Sequence, residues 1–389
     1  MNRPHILFIP SWYPSDDAPL LGTFFKEQAE MFSEVGHKVG VLHARFHDLP
    51  SKGWLKGPVH GIEMSEENGL TVVRASARLF QPGPLQRIPP IYRASVNKRK
   101  RLAIKMYEAY VVVNGKPDII HAKCTMWGAV IGTAVAEHAK LPLVVTVGSS
   151  VFARGIAGPR ERRTAAESLL KAQCLLSVSN PMAIDLGEKI GINSEPFTIV
   201  PNMIDVDKFP LCVDSKPRDE FTWGYMANLV NDKGHDTLLQ AFSSSIEGRL
   251  LLAGDGPLRE SLEVLTKDLG IGDRVEFLGA IPRDQAHTFY QMIDAFVHPS
   301  RYETFGIVAV ESLCSGRPVV ATMCGGPNDI VREQDGILVP VDDAQALASA
   351  MKMAASMKWD PEEMRKGVVE RYSKQNIRSI LLGIYDSLL

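Results

Sequence analysis

The stretch His298-Pro-Ser-Arg-Tyr-Glu303-Thr-Phe-Gly306-Ile-Val-Ala-Val-Glu311-Ser-Leu-Cys-Ser-Gly316-Arg-Pro-Val-Val-Ala321 decides the fold. It reads as the end of a buried strand, a loop, a helix, a glycine stop and a second strand. Asp294-Ala-Phe-Val-His298 is a short apolar run that Pro299-Ser300 terminates. The helix starts no later than Gly306, and Gly316 suits the position just past its end. The unpaired N–H groups at that helix start make an anion site. Glu311 comes five residues after Gly306, which is about 7.5 Å along a helix axis. That offset suits a ligand with phosphates on the helix end and a ribose beside the first turns. A carboxylate accepting from a ribose diol serves the same purpose in dinucleotide sites.

Working outward, strand and helix patterns alternate along the chain. Phe221–Met226, Arg249–Ala253, Val275–Leu278, Ala295–His298 and Val319–Ala321 read as strands with helices between them. The first half alternates as well, through Ile6–Pro10, Lys38–His43, Asp118–His121, Leu143–Val147 and Leu175–Val178. Helices are expected over Gly22–Val35 and Trp127–His138. Such alternation with short connections predicts an α/β protein of parallel sheets. Val200-Pro-Asn-Met-Ile-Asp205-Val-Asp207-Lys-Phe-Pro210 reads as a hinge. It separates two Rossmann-like domains, 1–205 and 206–372, and a cleft between them is the expected ligand site. A closing amphipathic helix covers 373–389. Between Phe46 and Pro90 the pattern weakens, and Phe80–Pro90 reads as an exposed, mobile Pro-rich connection.

The chain of 389 residues exceeds one core and fits two ordinary domains. Its 45% hydrophobic and 23% charged residues are those of a soluble globular protein. No apolar run reaches membrane-spanning length, and the first residues lack the pattern of a secretory signal. Cys124, Cys174, Cys212, Cys314 and Cys324 are scattered and form no Cys-x-x-Cys pair, so buried thiols in a reducing cytoplasm are expected. Residues 1–200 carry 24 Lys and Arg against 17 Asp and Glu, net +7; the remainder carries 19 against 28, net −9. A basic first half suits an anionic membrane surface, lipid phosphate or acidic glycan. No nucleic-acid module is visible, which argues against that partner. The helix bearing Lys98-Arg-Lys-Arg101 and Lys105, beside Ile88, Ile91 and Tyr92, points to a peripheral contact at the inner membrane face.

The opening stretch resembles the Glu-x7-Glu motif of the retaining family 4 glycosyltransferases, which have the GT-B architecture. In that family the first Glu contacts the donor sugar and the second the nucleotide ribose; here these are Glu303 and Glu311. Gly224-Tyr-Met-Ala-Asn228-Leu-Val-Asn-Asp-Lys233-Gly234 resembles the segment whose Arg and Lys hold the donor diphosphate. Lys233 is retained, while Asn228 replaces the Arg and removes a bidentate cation. Gly254-Asp-Gly256-Pro257 matches the family's Gly-x-Gly-Pro turn, and Phe277–Arg283, with Ile281, the segment that pairs with the base. Ser11–Gln28 matches the first loop, where Gly22 lets backbone approach the sugar phosphate. The family's strand ending Val-Thr-x-His has no such His here. Leu143–Val147 is followed by Gly148-Ser149-Ser150, which leaves Ser149, Ser150 or His121 as acceptor-side candidates. Asp205-Val-Asp207 imitates a metal-binding Asp-x-Asp but reads as turn and cap chemistry.

The resemblance implies an NDP-sugar-dependent glycosyltransferase that retains anomeric configuration and needs neither metal nor cofactor. The donor is a UDP-sugar or GDP-sugar, with UDP preferred. The acceptor is a hydroxyl of a glycan or lipid-linked glycan in surface polysaccharide assembly. Glu303 and Lys233 are the expected catalytic residues. The N–H groups of Phe305, Gly306 and Ile307 join Lys233 on the diphosphate. Two alternatives stand beside this: a sugar-nucleotide epimerase or phosphorylase on the same scaffold, and a non-catalytic nucleotide-sugar-binding protein. The closing helix is expected, by resemblance, to pack back on the first domain.

Overall fold

The structure, a computed structural model, describes residues 3–19, 21–48, 61–79, 88–152, 154–212, 220–244 and 246–389. Most of the Pro-rich connection, 80–87, and the polar tract 213–219 lie outside the described residues. The chain forms two compact units, one of Met1–Val178, Ala183–Val200 and Arg378–Leu389, the other of Ser179–Met182 and Pro201–Ile377. The division falls at Val200 rather than 205, because the Ile204 N–H donates to the Tyr372 carbonyl and Ile204 bridges Ser373.

In the first unit β1 (Ile6–Pro10) leads to α1 (Thr23–Ser33) and β2 (Val39–Asp48). The hairpin of β3 (Glu63–Glu67) and β4 (Leu70–Leu79) was absent from the sequence reading. Its signal was there: Asn68-Gly69 sits at positive φ on both residues, the turn that matches strand twist. Next come α2 (Pro89–Asn114), β5 (Ile119–Lys123), α3 (Trp127–Ala139), β6 (Leu143–Val147), α4 (Pro159–Leu169), β7 (Cys174–Ser177), α5 (Asn180–Ile190) and β8 (Phe197–Ile199). The sheet order is β3-β4-β2-β1-β5-β6-β7-β8, parallel except for β3. Strands β1, β5 and β6 are buried at every residue, as both-face burial in a parallel sheet requires.

The second unit contains β9 (Thr222–Met226), α6 (His235–Ser243), β10 (Arg249–Ala253), α7 (Arg259–Asp268), β11 (Val275–Gly279), α8 (Ala286–Gln291) and β12 (Ala295–His298). It continues with α9 (Ile307–Cys314), β13 (Val319–Thr322), α10 (Pro327–Ile330), β14 (Gly336–Val339), α11 (Ala344–Ser356) and α12 (Pro361–Tyr372). Its wholly parallel sheet runs β11-β10-β9-β12-β13-β14. The order reverses between β9 and β12, the place where open α/β sheets bind ligands at their carboxyl ends.

The last helix, α13 (Lys374–Asp386), begins in the second unit, but from Arg378 it belongs to the first. There Arg378 donates to the Met31 carbonyl, and the buried Tyr385 ring lies 5.7 Å from Phe32. Two surface expectations on α2 change. Tyr92 is buried against Val96, Val130 and Trp127, with its hydroxyl on Thr164. Arg99 is also buried, between the rings of Phe46 and Trp127 at 4.4 and 3.9 Å. Arg93, Lys98, Arg101 and Lys105 remain exposed on the helix. Among the described residues no helix is long and apolar enough to cross a membrane. All five cysteines are free thiols.

Candidate active site

The loops after β9 and β12 leave adjacent strands at the reversal of the second sheet, and they carry Lys233 and Glu303. Lys233 closes a short 3-10 turn, Asn231–Lys233, and Glu303 lies in the loop before α9. Lys233 Nζ donates to Glu303 Oε2 at 2.6 Å. The loops are fastened independently of that bond. The Arg301 N–H donates to the Asp232 carbonyl at 2.8 Å, and the Arg301 guanidinium reaches the Asn231 carbonyl at 2.5 Å and Asp236 at 2.8 Å. The Tyr225 hydroxyl donates to the Lys233 carbonyl at 3.0 Å.

Glu303 is held from a third side. Its N–H donates to the Cys324 carbonyl at 2.9 Å, and its carbonyl accepts from the Gly326 N–H at 2.9 Å. Gly325 makes this bridge possible. At φ +123° its missing Cβ would sit 2.3 Å from the Glu303 carbonyl oxygen. Burial by itself would raise the Glu303 carboxyl, but the Lys233 ammonium and hydrogen bonds from Lys233 and the Thr304 N–H outweigh it. The carboxyl is therefore held below its ordinary value and is ionised near neutrality. His298 Nε2 lies 3.8 Å from Glu303 Oε2. Burial pushes that imidazole down to about 4, against the pull of Glu303 and with the repulsion of Lys233. It is thus neutral at pH 7, and its Nδ1 is buried without a hydrogen-bond partner.

Helix α9 begins at Ile307 with Gly306 as its N-cap at φ +96°, and no side chain caps it. Phe305 is buried against the edge of Tyr372, which fixes the approach to the helix. The Glu303 side chain lies against this start: a Cβ on Gly306 would come within 3.5 Å of Glu303 Cγ. The helix ends as the sequence indicated. Gly316 at φ +77° donates to the Leu313 carbonyl, and the Arg317 N–H donates to the Ser312 carbonyl, a Schellman motif.

Glu311 is on α9 and its side chain is completely buried. Arg283 donates to its Oε1 at 2.7 Å, and the Tyr290 hydroxyl lies 2.9 Å from its Oε2. Tyr290 is itself fully buried, and burial together with the Glu311 charge pushes its hydroxyl well above the ordinary range. Half-buried Ile281 lies between β11 and the turn that starts at Arg283. Asn228 is exposed just beyond β9.

In the first unit Gly22 is the N-cap of α1 at φ +80°, and a Cβ there would approach the Trp12 carbonyl oxygen to 2.6 Å. The glycine is therefore required by the fold of its own loop. His121 does not fit its acceptor-side assignment. It is completely buried, with Nδ1 2.5 Å from the Tyr385 hydroxyl and Nε2 2.6 Å from Thr146 Oγ1. Both ring nitrogens are used in tying α13 to the sheet. Ser149 is buried, and its Oγ accepts from the Val151 N–H at 3.4 Å; Ser150 is half-buried. Asp205 lies before a 3-10 turn and pairs with Lys374 at 3.0 Å, without a side-chain cap bond.

Sequence reasoning missed His298, Arg283, Tyr290, Gly325 and Lys123. Lys123 is buried at the end of β5 with Nζ 3.2 Å from Thr146 Oγ1, and burial lowers it to about 7. Gly325-Gly326-Pro327 after a strand was a readable signal of close backbone approach. Arg283 and Tyr290 carried none, since their partner lies 28 and 21 residues away.

Two family models match the chain: Glycosyltransferase Family 4 over residues 21–208 and Glycosyl transferases group 1 over residues 213–371. A protein of Bacillus subtilis (strain 168), named provisionally as the teichuronic acid biosynthesis glycosyltransferase TuaC, is 27% identical over 92% of this chain and 91% of its own. The lipopolysaccharide core biosynthesis glycosyltransferase LpsD of Rhizobium meliloti (strain 1021) is 34% identical over 44% of this chain and half of its own. Sucrose-phosphate synthase from Thermosynechococcus elongatus shares the fold with a TM-score of 0.73 at 22% identity, covering 99% of both chains. Anabaena HepE, solved with UDP and glucose, does so with a TM-score of 0.70 at 20% identity, covering 99% of this chain and all of its own. With both halves matched in order, and with two parallel sheets of the kind these enzymes share, the chain belongs to the family 4 glycosyltransferases of GT-B fold.

Proposed function

We propose that this glycosyltransferase moves a sugar from a nucleoside diphosphate donor, a UDP-sugar before a GDP-sugar, with retention of configuration. The acceptor is a hydroxyl of a glycan or lipid-linked glycan in the assembly of a surface polysaccharide. The observation that carries the reading is the Lys233–Glu303 pair at 2.6 Å beside the uncapped start of α9, at the reversal of the second sheet. A cation and exposed helix amides suit a diphosphate, and an ionised carboxylate suits the hydroxyls of a sugar.

The roles follow from the chemistry. Lys233 and the amides of Phe305, Gly306 and Ile307 stabilise charge building on the leaving diphosphate, so the reaction needs no metal. Glu303 orients the donor sugar and Glu311 the ribose. The acceptor hydroxyl enters on the face the diphosphate leaves and passes its proton to the departing phosphate oxygen. Asn228 and Ile281 border the nucleotide. The names of TuaC and LpsD tie those relatives to teichuronic acid and lipopolysaccharide core biosynthesis, which supports the acceptor class. UDP is the first nucleotide to test because HepE was solved with it. The exposed Arg93, Lys98, Arg101 and Lys105 of α2 suit transient contact with an anionic membrane surface.

Purified protein incubated with a panel of UDP- and GDP-sugars and a lipid-linked glycan fraction tests the reading. The product should keep the donor's anomeric configuration by NMR. Glu303→Ala should lower kcat about 100-fold or more with nucleotide Kd nearly unchanged, and Lys233→Ala should raise that Kd about tenfold. An inverted product would end the retaining assignment. Undiminished transfer by both variants would end the site assignment.

A further inference from the structure

Glu311 cannot be reached by any ligand as it stands. Its carboxylate has no accessible surface, and each oxygen already has a donor, Arg283 on Oε1 and Tyr290 on Oε2. If a ribose diol is to bind there, one of the two covers must leave. They differ in freedom to do so. Tyr290 has no exposed surface, and its ring packs on Phe209, Phe289 and Phe296 with centroids 5.7–5.9 Å apart. Its carbonyl also accepts from Arg317 at 3.2 Å. Arg283 projects from an exposed 3-10 turn, and its side chain is 37% exposed. A long cationic side chain at a solvent edge moves at small cost, whereas an aromatic in a packed core does not.

We propose that Arg283 is a specificity-determining latch on Glu311, displaced from Oε1 when the ribose 2′- and 3′-hydroxyls of the donor take its place. The proposal rests on the nucleotide-sugar reading above and adds a residue to it. The latch keeps a buried carboxylate paired while the site is empty, which avoids the cost of an isolated buried charge. It also sets a toll on entry. A ligand with a full diol replaces the lost charge-assisted bond with two hydroxyl donors, and a ligand missing one hydroxyl replaces it poorly. Glu311 rewards the diol and so favours ribose over deoxyribose, while Arg283, which competes most with the ligand that displaces it fully, narrows that preference. Tyr290 stays on Oε2 throughout and holds the carboxylate plane.

Titration calorimetry of UDP, GDP and their 2′-deoxy forms tests this with wild type, Arg283→Gln and Arg283→Lys. Arg283→Gln should bind the ribonucleotide about tenfold tighter, the equivalent of one charge-assisted hydrogen bond no longer broken on entry. The 2′-deoxy form should gain less, so the ratio between the two widens. Arg283→Lys, which keeps a cation over Glu311, should stay within about threefold of wild type. Its melting curve should match that of wild type, which checks that the turn tolerates substitution. Equal weakening of ribo and deoxy forms by Arg283→Gln would mean that Arg283 holds the ligand, and unchanged affinities would mean that it does nothing; either overturns the latch alone. Failure of wild type to bind any of the four nucleotides would overturn the donor reading and the latch together.

Discussion

Lys233 is the chief charged neighbour of Glu303, and this makes the state of the acid depend on the base. The lysine is the largest of the influences that keep the Glu303 carboxyl low, set against burial, which works the other way. With Lys233→Ala the burial effect is left opposed by less, and the carboxyl should move up. The sign for activity follows directly. A rate that requires ionised Glu303 falls as pH drops through its pKa, so the acid limb of kcat/KM in the wild type lies below the ordinary carboxylate range. In Lys233→Ala the same limb should shift to higher pH. A pH–rate profile of both proteins checks this, and an unmoved acid limb would disconnect the pair. His298 cannot substitute for the lost cation near neutrality, because burial keeps its imidazole uncharged.

At the scale of elements, the site is made by loops pressed together at the carboxyl ends of β9, β12 and β13. Gly325 lets the loop after β13 bridge to Glu303. Gly325→Ala would add a Cβ 2.3 Å from the Glu303 carbonyl oxygen at φ +123°, where L side chains are strained. The expected cost is about 1–3 kcal/mol of stability, together with a loss of kcat larger than the change in nucleotide affinity. Denaturant unfolding and donor kinetics on one preparation separate the two effects. A variant as stable and as active as wild type would show that the bridge is dispensable. The sequence exposed α9 almost completely, because Gly306 and Gly316 bracket an apolar run. It exposed the hairpin β3–β4 only through Asn68-Gly69, since β3 is polar and exposed along most of its length and shows no alternation to read.

For the whole molecule, buried neutral histidines couple stability to pH in both units. His121 in the first unit is held well below its ordinary value by burial, and His235 and His298 in the second are pushed down to about 4 by burial. A histidine of lowered pKa stays neutral in the folded protein while the unfolded chain takes up a proton from about pH 6.5 downward. Stability is therefore complete above that pH and is lost as pH falls toward 4, by about 1.4 kcal/mol per pH unit for each such histidine. Melting midpoints measured from pH 7.5 to 4.5 should fall on acidification. His121→Asn should flatten part of that slope while weakening the attachment of α13, since the ring bridges Thr146 to Tyr385. A midpoint that stays level from pH 7 to 5 would contradict the linkage.

Sequence alone determined the alternation of strands and helices, the two-part division, the helix carrying Glu311, and Lys233 and Glu303 as separate candidates. These are encoded locally: apolar runs of strand length, glycines at helix ends and short motifs survive without knowledge of the partner strands. Only tertiary structure decided what each polar side chain meets. It sent His121 and Arg99 into the core, covered Glu311 with Arg283 and Tyr290, and set Gly325 against Glu303. Those outcomes depend on contacts between residues tens to hundreds of positions apart. A side chain's burial and charge state are properties of the neighbours that folding brings to it, and the linear pattern does not name those neighbours.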